Sequence, residues 1–595
     1  MRSGSSYRPG RVLAALVAAL VAGLVALTGC AGLPESGPVH HYADQSERVP
    51  QEPAYFSPPG PARGASPVSV VKGFMLAMQA NPPSTAVARS FLSADARATW
   101  KPSEGTIVYG ASSVARSAPA EVTLRLVDAH RLDARGGWIN GQPGRTDTVQ
   151  LHVVREKGEW RIADPPDALV VIESYFQGKF APFDLYFYDQ TGHVLVPEPV
   201  YLPRGEQTAT NLVRGLLAGP GRALAGVVRS AFPLGTDLDL SVTVSESGLA
   251  EVPLNGDVLK LPPEQLTRAV AELAWTLRQV PGLDRVRITV DGAPVPLSDG
   301  RIDVGVDEGS RFAPGVRRAQ PPVVVRQGRV GLLDGGRLRP LPGPFGSTGF
   351  SLRTVAVDRG VRHLAAVGTN GRTVYVGPLA DGRGHRVRRV LDGGSDVLRP
   401  AFDMFGQLWL VDRTPRGAVV HVVEGRDERV VRIPGVSGQS VAGFALSPDG
   451  TRMVVGLSGG AMPRLVVADI VRSPDGAVRR VLAARDLPAP TSGLTGDAGP
   501  AVDVGWASAT TVAVLTRSGA ASSRVLFLLA DDSPGDGSPN TPVPISGAGE
   551  QLVSGGDLGD PVLVVTGDGR LLSLSGNGQW TRRLAGGVVA AAYPG

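Results

Sequence analysis

The spacing of apolar residues along the chain changes character several times, and each change marks a boundary. Arg2, Arg8 and Arg11 lead into an apolar run from Val12 to Leu27, interrupted only by Gly23. A basic start, an apolar middle and a small-residue end predict a secretory leader over 1–29. The run holds 16 residues, short of the roughly 20 that cross a bilayer as a helix. Prolines at 34, 38, 50, 53, 58, 59 and 61 follow with no apolar period, so residues 30–65 read as an extended tether. Such sequence buries too little surface to offset the entropy of ordering, and its prolines keep it extended.

Helical periodicity begins at Ser66-Pro67, where Ser is a capping residue and Pro suits the first helical position. Val70, Val71, Phe74, Met75 and Met78 fall on one face. A second helical stretch is predicted through Val87, Phe91 and Leu92, and a third from Ser93 to near Trp100. The period then drops to two. Val122, Leu124 and Leu126 alternate with polar neighbours, and Leu151–Val154 turns through Lys157-Gly158 into Trp160-Arg161-Ile162 as a hairpin. Residues 66–175 are therefore expected to form a small α+β domain. Helices followed by an antiparallel sheet closing on Gly158-Glu159-Trp160-Arg161-Ile162 resemble the cone-shaped fold named after nuclear transport factor two.

A second α+β pattern covers 180–310. Phe183–Asp189 alternates as a strand and ends at a turn near Thr191-Gly192. Ala209, Leu212, Val213, Leu216 and Leu217 make one helix face, stopped by Gly219-Pro220. Strands are predicted at 240–244, 249–252 and 286–290, the last turning at Asp291-Gly292. Between them Pro262-Pro263-Glu264 opens a helix carrying Leu266, Ala269, Val270, Leu273, Ala274 and Leu277 toward a core. This order is similar to the GerMN domain family. The matching residues are the strand at Leu185–Tyr188, Leu216-Leu217-Ala218-Gly219-Pro220, Phe232-Pro233-Leu234-Gly235-Thr236 and Ile288-Thr289-Val290-Asp291-Gly292. The resemblance implies an extracytoplasmic recognition module without turnover.

From 320 to 595 short apolar strands recur around turns at Asp334-Gly335, Asn370-Gly371, Asp449-Gly450 and Asp568-Gly569. Equivalent strand starts are placed at Val357, Phe402, Phe444 and Trp506, with intervals of 45, 42 and 62 residues. That period is one four-stranded propeller blade. The longest interval contains residues 486–500, read as a loop insertion. Val588–Tyr593 has the pattern of an inner strand with no blade after it, and Pro322–Leu341 that of outer strands with none before. Their union closes the ring without a free edge. Six blades are counted, with five or seven as alternatives. The fold class expected is thus multidomain: two α+β domains, cone-like then GerMN-like, followed by an all-β propeller.

Composition adds to this picture in three places. The 77 glycines and 50 prolines, with 19% charged residues, suit a turn-rich β architecture. The formal net charge of +5 falls to +2 once the leader and its three arginines are removed, so no basic field for nucleic acid remains. Cys30 is the single cysteine, which excludes an intramolecular disulfide.

No catalytic, cofactor or metal constellation emerges. His40-His41 lacks a nearby third ligand. Gly456-Leu457-Ser458-Gly459-Gly460 matches the nucleophile-elbow pattern, but strand sequence follows it and every histidine precedes Ser458. Asp531-Asp532-Ser533-Pro534-Gly535-Asp536 lacks calcium-loop spacing and reads as a mobile loop between strands. Trp409, Trp506 and Trp580 are candidates for a sugar platform, though their strand context favours packing.

Leu27-Thr28-Gly29-Cys30 is similar to the bacterial lipobox. That resemblance implies cleavage between Gly29 and Cys30, S-diacylglycerol and an N-acyl chain such as palmitate on Cys30, and a lipid-anchored protein on the extracytoplasmic face of the cell membrane. Two acyl chains suffice for stable anchoring, each buried methylene adding about 0.8 kcal/mol. Lipobox, tether, cone-like domain, GerMN-like domain and propeller together resemble the actinobacterial LpqB lipoprotein family. The family's role implies an accessory of the MtrA and MtrB two-component system that contacts the extracytoplasmic part of the sensor kinase MtrB, in signalling linked to cell-wall homeostasis and cell division. It implies no enzyme activity and no cofactor. A cell-wall or glycan receptor working through the propeller is the alternative, and a propeller enzyme a third.

Overall fold

The structure is a computed structural model that describes residues 56–139, 145–314, 320–347, 350–380, 386–459, 462–488, 499–533, 542–557 and 559–595. The leader, Cys30, His40-His41 and most of the tether lie outside the described residues.

The first helix spans Pro67–Ala77, and the Ser66 side chain caps it by accepting from the Ser69 amide. Its apolar face packs onto a four-stranded antiparallel sheet made of Ala111–Ala118, Glu121–Val127, Thr146–Glu156 and Glu159–Ile162. Lys157 and Gly158 both take positive φ, as the predicted hairpin turn requires. The second helix is shorter than its apolar spacing suggests, Ala86–Arg89 only. Phe91 and Leu92 leave it because the backbone there pairs with the sheet, the Ile162 amide donating to the Phe91 carbonyl. Ser93 caps the third helix, Ala94–Thr99. The expected single sheet is instead two. The other sheet orders Trp138–Ile139, His130–Asp133, Gly105–Tyr109 and Leu169–Ile172, with the last two strands parallel.

In the middle module strand Phe180–Asp189 pairs antiparallel with Leu195–Pro203, in register from Phe180 to Tyr188. Helices Thr208–Leu217 and Pro263–Leu277 bury the predicted apolar faces in one core. A second sheet joins Leu249–Pro253 in parallel to Arg285–Val290. The strand predicted at 240–244 shrinks to Thr243–Val244. Leu240 is 72% exposed, and the Val242 amide donates to the Thr210 side chain rather than to a neighbouring strand.

Among the described residues the C-terminal region holds six sheets. Five have four strands; the one starting at Val441–Leu446 has a fifth, Arg485–Leu487, paired with Leu465–Val467. Val588–Ala592 pairs with Val323–Arg326, so the end of the region completes the sheet its beginning opens. The predicted landmarks fall within or at the ends of inner strands rather than at their starts: Leu352–Val357, Ala401–Phe402, Val441–Leu446 and Ala501–Trp506. In two of these sheets the inner strand stops because the next residue, Asp358 or Asp403, turns the chain by accepting amides from the residues ahead of it. The first hairpin turn also shifts by one position. Asp334 pairs with Arg337, leaving Gly335 and Gly336, both at positive φ, as the turn.

Candidate functional site

The strand Leu195–Pro203 touches the modules on both sides of it. On the N-terminal side, Asp133-Ala134-Arg135-Gly136-Gly137 is a tight turn in which the Asp133 carboxylate accepts from the amides of Arg135 and Gly137. The turn carries Arg135 into the middle module. Its guanidinium donates to both oxygens of Glu198, at 2.9 and 3.1 Å, and to the Gly219 carbonyl at 3.1 Å. Glu198 also accepts from the Gly221 amide. Three residues beyond Glu198 the Tyr201 amide donates to the Gly136 carbonyl at 2.7 Å. On the other side the Tyr201 hydroxyl donates to Ser533 Oγ of the propeller at 2.8 Å.

A cavity of about 380 Å³ lies where the three modules meet. Arg135 and Trp138 line it from the first, Glu198 and Arg222 from the second, and Arg452, Arg485 and Asp531 from the third. Arg452 is committed to Asp449 at 2.9 Å, and its guanidinium lies over Trp506. Around Arg452 and Arg485 stand four carboxyls that are held above the usual carboxylate range. Burial, then repulsion from Asp531, pushes Asp184 up to about 6. Burial and the same neighbour push Asp532 up to about 7. Burial also raises Asp531 and Asp469. Asp531–Ser533 is thus packed against the middle module and is not the mobile loop expected; Pro534-Gly535-Asp536 lies outside the described residues.

A second cavity, about 110 Å³, forms where the inner strands of the six sheets converge, with Val355, Phe402, Phe444, Trp506, Val553 and Ala592 in its wall. The one arginine in that wall, Arg399, is occupied: it donates to the carbonyls of Leu552 and Val504 and pairs with Asp503.

Of the other sequence candidates, Ser458, Trp409 and Trp580 line neither of these cavities, and Trp506 is buried in the wall of the second. Among the described residues Ser458 follows strand Arg452–Leu457 and the next element is strand Arg464–Arg472, where an elbow needs a helix. Trp409 is fully buried with its indole N–H on Asp403, Trp506 is 2% exposed, and Trp580 packs against the core of its sheet. No group of three or more metal-ligating side chains occurs among the described residues.

Two α+β modules followed by a ring-closing set of β-sheets define a modular, mostly β body. Three family models match it: "Lipoprotein LpqB, N-terminal domain" over 60–177, "Sporulation and spore germination" over 184–296, and "Lipoprotein LpqB beta-propeller domain" over 324–594. The chain belongs to the lipoprotein LpqB family. It is 28% identical to Lipoprotein LpqB of Streptomyces coelicolor over 100% of this chain and 99% of the relative. It is also 28% identical to that of Cutibacterium acnes, over 97% and 98%. The first GerMN domain of GerM from Bacillus subtilis is similar at 21% identity, covering 21% of this chain and 93% of that one, with a TM-score of 0.18. Among the described residues no helix is long and apolar enough to cross a membrane.

Proposed function

We propose that this chain is a lipid-anchored, extracytoplasmic accessory of a two-component system of MtrA–MtrB type, working by contact with the sensor kinase's extracytoplasmic domain rather than by catalysis. The carrying observation is family membership, matched module by module. The packing supports it: Arg135 and Arg399, each lining a cavity, hold modules and sheets together. Acylation of Cys30 in the lipobox-like Leu27–Cys30 would hold the chain near a membrane-embedded partner. In cells making the Cys30→Ala chain, the protein should leave the membrane fraction and kinase output should match that of cells lacking the protein. Normal output from the released form would refute anchored contact.

A further inference from the structure

The junction cavity has an uneven set of buried polar atoms. Arg485 Nε and Nη1, Arg452 Nε and Trp138 Nε1 are buried donors with no hydrogen-bond partner among the described residues, and Asp531 Oδ2 is a buried acceptor in the same condition. All four residues line this one cavity. Buried polar groups in folded proteins are nearly always paired, so five such atoms around one space call for a ligand that pairs them.

Charge narrows the class of ligand. A bare oxyanion would suit the four donors but would sit against Asp531. A bare cation would suit Asp531 but would face Arg452 and Arg485. We propose that the cavity binds a small zwitterion with carboxylate and ammonium a few atoms apart, the chemistry of a free α-amino acid. Its carboxylate takes the guanidinium N–H groups of Arg485 and Arg452, as planar donors favour, together with the Trp138 indole N–H. Its ammonium donates to Asp531. An apolar side chain lies against Ile139 and Leu224, which also line the cavity. The volume, about 380 Å³, is in the range of small-molecule sites. Because each module supplies part of the wall, bound ligand strengthens the junction itself.

Calorimetric titration of the mature chain in detergent, with leucine, N-acetylleucine and leucinamide as probes, separates the possibilities. Leucine should bind, and blocking either charged end should weaken binding about tenfold or more. Arg485→Gln should weaken leucine and N-acetylleucine alike, whereas Asp531→Asn should weaken leucine and leave N-acetylleucine unchanged. Arg222→Ala, at an exposed rim position, should weaken leucine without lowering the melting temperature, so the proposal does not hang on the buried variants folding. Failure of leucine to bind, or N-acetylleucine binding as tightly as leucine, would overturn it.

Discussion

Arg135 and Glu198, 63 positions apart, meet as a two-pronged ion pair with both side chains only 11% exposed. The approach depends on Gly221, where an added Cβ would lie 2.3 Å from Glu198 Oε1 and 2.1 Å from Arg135 Nη2. Removing one partner of such a pair strands the other charge. Arg135→Met should therefore cost about 3–5 kcal/mol in urea unfolding, and Gly221→Ala about 1–3 kcal/mol by crowding the pair apart. The two losses should not add, because they remove one interaction. Full additivity would mean that Gly221 acts elsewhere.

A second buried pair joins two sheets of the propeller. Arg472 donates to Asp403 at 2.8 Å and to Gln407 at 2.8 Å, and Asp403 also accepts from Trp409. Arg472→Leu should destabilise by about 3–5 kcal/mol, since Asp403 is fully buried and loses its cation. Urea unfolding followed by tryptophan fluorescence reads this, through the Trp409 indole that shares the same carboxylate.

The carboxyls between the middle module and the propeller give the junction a pH dependence. Asp184 and Asp532 titrate near 6 and 7 in the folded chain, above the usual 3.8. The folded state therefore binds more protons, and the stability these groups contribute is full below about 4 and lost as pH rises through 6 and 7. Asp532→Asn removes one such group. Its stability relative to the parent should grow steadily from pH 4.5 to pH 8. A flat difference across that range would contradict the assignment.

Glu272 sits fully buried on helix Pro263–Leu277, accepting from the Ala231 amide at 2.6 Å. Burial drives its carboxyl well above the usual range, so a neutral amide of the same shape should replace it readily. Glu272→Gln should match or exceed the parent in thermal stability at pH 8. Glu272→Ala should lose about 1–3 kcal/mol by stranding the Ala231 amide.

Much of this architecture could be read from the chain because it rests on local periodicity. The faces of Pro67–Ala77, Thr208–Leu217 and Pro263–Leu277, the turn at Lys157-Gly158 and the closing strand Val588–Ala592 all announce themselves within a dozen residues. Where tertiary pairing overrides spacing, reading failed: Phe91 and Leu92 have helical spacing but are claimed by Ile162. The junction was illegible for another reason. Arg135, Glu198, Arg485 and Asp531 are single charges scattered over three modules, and no spacing relates them. The one local signal was Glu198 itself, a lone acid in the apolar strand Leu195–Pro203. A charge buried that way needs a partner from elsewhere. Asp531 was misread because acid, proline and glycine together look like a solvent loop, whereas its first three residues dock on the neighbouring module.

The most direct test of contact as this protein's mode of action is capture of purified sensor extracytoplasmic domain by the immobilised mature chain. The domain should be retained in a saturable way, with no retention of an unrelated kinase's sensor domain and none displaced by peptidoglycan fragments. Retention of the fragments with no capture of the sensor domain would contradict it and favour a glycan receptor.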